Sequence, residues 1–126
     1  MALKICLLMP ALFVLAACAS PGDLRQRSPN FESVTSVPVE RLAGCIGDKF
    51  EASPIVTQNG LARLSSRPTT NGYSITADQT LGYGARDTSI LVDISRLDDS
   101  KTRVQLWTNT IGDGSRFIVP IIRECL

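Results

Sequence analysis

The sequence contains no histidine. Ser-His and Cys-His nucleophilic catalysis and histidine metal sites are thereby removed. Aromatic residues are few, and Trp107 is the only tryptophan. No basic cluster exists: ten arginines and three lysines lie scattered against 12 acidic residues. Electrostatic nucleic-acid binding needs a clustered basic surface, so no nucleic acid is expected as a partner. The carboxylates Asp48 with Glu51, Asp93, Asp98 with Asp99, and Asp113 carry no EF-hand spacing and read as solvated turn charges. The glycine-rich stretch Thr80–Asp87 lacks both the third glycine of a dinucleotide loop and the Gly-Lys-Ser/Thr of a P-loop. No catalytic residue, metal site or cofactor is expected, and no internal repeat is visible. Long hydrophobic runs are missing too. The longest, Ile5–Ala17, covers roughly 20 Å as a helix, short of the roughly 30 Å hydrocarbon core of a bilayer.

What is present begins with that run. It follows a single positive charge, Lys4, and ends in Leu15-Ala16-Ala17-Cys18. It reads as the apolar region of an export signal, and plain secretion with an ordinary cut is the simpler alternative. Leu at −3, Ala at −2 and −1, and Cys at +1 resemble the lipobox of bacterial lipoproteins at each position. The resemblance implies a signal peptide over 1–17 and a mature chain starting at Cys18, whose sulfur carries a diacylglyceryl group and whose nitrogen takes a further acyl chain, commonly palmitate. One acyl chain holds a bilayer only marginally, whereas two or three hold stably, because each buried CH₂ contributes about 0.8 kcal/mol. Ala19, not Asp, follows the cysteine. By resemblance to the enterobacterial sorting pattern, the membrane partner is the outer membrane, with the protein facing the periplasm.

The mature chain of 109 residues, Cys18–Leu126, suffices for one domain. Without Lys4 its basic and acidic side chains balance at 12 each. Cys6 leaves with the leader and Cys18 takes the lipid. Cys45 and Cys125 remain, and in an oxidising compartment two leftover cysteines pair. A reactive thiol is the sharper alternative, with no histidine to activate it and no CxxC spacing.

Residues 18–37 hold prolines, serines, Arg25 and Arg27 with no apolar period, and are expected to form a flexible tether. Fully extended, it would reach some 60 Å at roughly 3.3 Å per residue. Arg25 and Arg27 read as solvated tether residues, or else touch anionic head groups. The globular part, 38–126, begins with a helix over 38–50, capped by Ser36, with Val39, Leu42, Ala43, Ile46 and Phe50 on one stripe. A short edge strand is expected at 55–58 and a hairpin from 61–67 and 72–77 around Pro68-Thr69-Thr70-Asn71. Strands over 89–95 and 102–108 alternate, with Ile90, Val92, Ile94, Val104 and Leu106 facing the core. A C-terminal helix, capped by Asp113 or Ser115 and kinked at Pro120, carries Phe117, Ile118, Ile121, Ile122 and Cys125. The expected class is α+β: a two-layer sandwich of three to five antiparallel strands, with both helices on one face and a disulfide between them.

Cys45 in a helix, Gly72-Tyr73-Ser74-Ile75, Val92-Asp93-Ile94 and the terminal Cys125-Leu126 occur in an order similar to that of small uncharacterised proteobacterial lipoproteins, a resemblance that implies the fold and no activity. Two surfaces stand out as candidate binding sites. Trp107, with Leu91 and Tyr83, forms an apolar patch for a partner, or is covered by the tether or a loop. The Thr80–Asp87 loop offers Tyr83 and Arg86, or is glycine-rich for backbone reasons alone. The expected function is a non-enzymatic, lipid-anchored binding or accessory module that engages an envelope protein or peptidoglycan. An inhibitor or immunity protein against an envelope-acting toxin or hydrolase is the alternative, since tethering raises local concentration. An enzyme of unfamiliar type stands third.

Overall fold

The computed structural model describes residues 19–80, 82, 84–109 and 114–126. The expected signal peptide over 1–17, together with Cys18, Tyr83 and Asp113, lies outside the described residues. Five antiparallel strands form one sheet: β1 (Phe31–Thr35), β2 (Ala62–Pro68), β3 (Gly72–Thr80), β4 (Arg86–Arg96) and β5 (Thr102–Thr108), in the spatial order β1-β5-β4-β3-β2. Helices α2 (Val39–Ala52) and α4 (Ser115–Arg123) cover one face. The chain is an α+β sandwich, as its periodicity implied.

The main core sits between that face and the helices. Alternation along β4 and β5 sends Ile90, Val92, Ile94, Val104 and Leu106 inward, where they meet Leu42, Ile46 and Phe50 of α2 and Ile118 and Ile122 of α4. Phe117, expected on the buried stripe, is 48 % exposed. The helix turns Ile118, Ile122 and Cys125 inward and leaves Phe117 outside under the Arg116 guanidinium, 4.7 Å from the ring centroid. Cys45 and Cys125 form the disulfide, with their Cα atoms 5.9 Å apart, and so bind α2 to the end of the chain.

Several local expectations are corrected. Residues 19–37 are not a free tether. They contain a one-turn helix, α1 (Pro21–Arg25), and the edge strand β1, which pairs with β5 from Phe31 opposite Leu106 to Thr35 opposite Thr102. Residues 55–58 are not a strand: Pro54–Thr57 form a short helix, α3, which ends in left-handed Gln58 and Asn59. Pro54 at its first position has the right φ, and Val56 is buried under it. Ser36 does not cap α2, where Pro38 occupies the cap position without a side-chain bond. Gly114, not Ser115, is the cap residue of α4.

Gly72 shows where glycine is required for space. A Cβ there would overlap the carbonyl oxygen of Ile94 and stand 2.9 Å from its carbonyl carbon, against the central strand β4. Gly44 and Gly47 on α2 face open space, with nothing within 4 Å. In urea unfolding, Gly72→Ala should lower stability by about 1–3 kcal/mol through backbone overlap. Gly44→Ala should raise it by about 0.5–1 kcal/mol through helix propensity.

Candidate binding groove

The second face of the sheet is covered in part, and the segment that covers it is the one with no period of its own. Ala19 is 3 % exposed; its N–H donates to Asp87 Oδ1 at 2.9 Å and its carbonyl accepts from the Thr88 N–H at 2.9 Å. Ser20 caps α1, with Asp23 completing a reciprocal capping box. The Ser20 hydroxyl and amide both donate to Asp23, which holds its carboxyl below the ordinary carboxylate range. Leu24 is fully buried and packs with Ala19 onto Leu91 and Trp107 as a second, smaller core. The Trp107 indole Nε1–H donates to the Arg27 carbonyl at 2.9 Å.

Trp107 and Leu91 are therefore not a bare partner surface. They are 5 % and 0 % exposed beneath the folded N-terminal segment, which buries them for the usual reason: a large apolar body with its N–H satisfied. Arg25 and Arg27 are not free tether charges either. The Arg25 guanidinium grips Asp93 with Nε to Oδ2 at 2.7 Å and Nη2 to Oδ1 at 2.9 Å, and it also donates to the Ser74 hydroxyl. That carboxylate raises the Arg25 pKa above its ordinary value. Arg27 donates to Asn109, whose amide in turn donates to Asp87.

Beside this strap, part of the face forms a groove of about 430 Å³ that carries hydroxyl and charged side chains. Ala19, Ser20, Pro21 and Arg25 form one wall. Arg67, Pro68 and Thr69 form the other, and the floor is Ser74, Thr76 and Asp78 of β3 with Thr88 and Arg86 of β4. Alternation puts Ser74, Thr76 and Asp78 on this face, opposite buried Ile75 and Ala77. The Thr88 hydroxyl donates to Asp78 at 2.7 Å, and a bulge at Ala77/Asp78 brings the two side chains together. The side chains of Arg67 and Arg86 are exposed, and neither guanidinium has a hydrogen-bond or ion-pair partner among the described residues. Of the candidate binding residues named from sequence and described by the structure, the groove takes in Arg86 and neither Trp107 nor Leu91. Arg67 was missed, although the polar alternation Ser74-Thr76-Asp78 beside it marks a strand face that is not core.

The arrangement suits an anionic group: two unpaired guanidiniums and several hydroxyls, with one carboxylate, Asp78, already bonded. Among the described residues, no group of three or more Cys, Asp or Glu side chains is placed to hold a metal ion, and no helix is long and apolar enough to cross a membrane. No protein-family model and no curated protein matches this sequence.

Proposed function

We propose that this chain is a lipid-anchored cell-envelope protein, held through Cys18 at the periplasmic face of the outer membrane, where it acts by binding and not by catalysis. The observation that carries the reading is the hydrogen bonding of Ala19. Ala19, the residue that follows the Leu15-Ala16-Ala17-Cys18 motif, is held by Asp87 and Thr88, and a cut before Cys18 leaves every described element on the chain that starts there. The disulfide supports an oxidising compartment. The built-in N-terminal segment also bears on the choice of role. An anchored inhibitor or immunity protein profits from a long reach. Here residues 19–35 are spent on α1 and β1, which favours an accessory module working at the membrane surface.

The test is chemical. The envelope-derived protein should start at Cys18, incorporate labelled palmitate and fractionate with the outer membrane. Cys18→Ser should accumulate with residues 1–17 attached and without label. An unacylated mature start in the wild type would overturn the reading.

A further inference from the structure

The groove and the proposed anchor share a wall. Whatever is attached at residue 18 is one peptide unit, about 3.8 Å, from Ala19, and Ala19 is fixed to Asp87 and Thr88 at the edge of the groove. With no slack between them, acyl chains entering a bilayer at residue 18 bring this side of the domain to the head-group layer. Arg67 and Arg86 are the unpaired guanidiniums that line the groove there, since Arg25 is neutralised by Asp93 and Arg27 is turned to Asn109.

We propose that the groove seats the phosphate of an anionic phospholipid in the membrane that holds the anchor, with Arg67 and Arg86 as its ligands and the Ser20, Thr69, Ser74 and Thr76 hydroxyls lining the seat. The proposal rests on the anchoring at Cys18. The lipid holds the chain on the membrane, and the guanidiniums fix which face lies down. Phosphate oxygens match the guanidinium fork, and hydroxyl groups line the seat between the two arginines. Asp78 opposes the anion. Its charge is engaged by the Thr88 hydroxyl, and Arg63 stands across from it in the β2–β3 register.

The full chain, purified from the envelope and with its mass at residue 18 recorded, is placed in vesicles of phosphatidylcholine alone or mixed with phosphatidylglycerol. Amide exchange is read by mass spectrometry over residues 67–69, 74–78 and 86–88. Protection several-fold greater on the phosphatidylglycerol vesicles is expected, fading as salt shortens the Debye length. The Arg67→Gln/Arg86→Gln double variant should lose this difference while floating with the vesicles as before. Equal exchange on the two vesicle types, or a difference that survives the double variant, overturns the proposal. So does equal protection on phosphatidylcholine vesicles given inorganic phosphate, because the groove would then take a soluble anion. A mass without acyl groups defeats the anchoring separately. Sedimentation of that unacylated chain with the same vesicles then decides the groove: roughly thirtyfold weaker partition for the double variant at low salt supports it, and equal partition sinks it.

Discussion

Cys45→Ala/Cys125→Ala should unfold with a free energy about 4.5 kcal/mol below wild type. The bond closes a loop with a sequence separation of 80, and the chain-entropy cost of such a loop in the unfolded state gives that figure. For a domain of this size the melting temperature should fall by on the order of 20 °C. The loss is large because of where the bond lies. It joins α2 to Cys125 just beyond α4, so both helices that cover the main core depend on it. Two features of α2 add to the dependence, since Gly44 and Gly47 weaken it as a lone helix. Denaturant unfolding of the double variant, beside wild type with and without reductant, measures the effect. A double variant within 1 kcal/mol of wild type would show that packing alone holds the helices.

Trp107→Ala should cost about 3–5 kcal/mol, the range for emptying a buried large aromatic site. The change opens a cavity under Leu24 and Ala19, uncovers Leu91, and leaves the Arg27 carbonyl without the indole N–H. Amide exchange over residues 20–27 should rise before the rest of the domain opens, because α1 has five residues and cannot persist without its packing. Trp107→Phe keeps most of the apolar body and should lose only about 1 kcal/mol, the net worth of one hydrogen bond. A docking tryptophan would behave in the opposite way, leaving stability unchanged. Trp107→Ala unfolding like wild type would therefore return this side chain to the surface.

Much of the architecture is legible in the sequence. The stripe Val39, Leu42, Ala43, Ile46 and Phe50 specified α2, since five apolar residues at helical spacing admit one buried face. Alternation in β4 and β5 specified which side chains enter the core, and the two cysteines left over once Cys6 and Cys18 are set aside are the bonded pair. Each of these signals is local and repeats over at least a full period. Residues 19–35 have no such repeat. Their order comes from partners about 70 positions away: Phe31 opposite Leu106, Arg25 on Asp93, Ala19 on Asp87. Five-residue elements hold too few contacts of their own to declare a conformation, so the sheet edge and the apolar pair Leu91–Trp107 impose it. The same limit hid the groove. The alternation of β3 announces a polar face, but only the folding of α1 across that face builds a wall and sets it beside Arg67 and Arg86. Periodicity along the chain decided the layers and the main core, and long-range pairing decided what lies over the other side of the sheet and which charges remain free there.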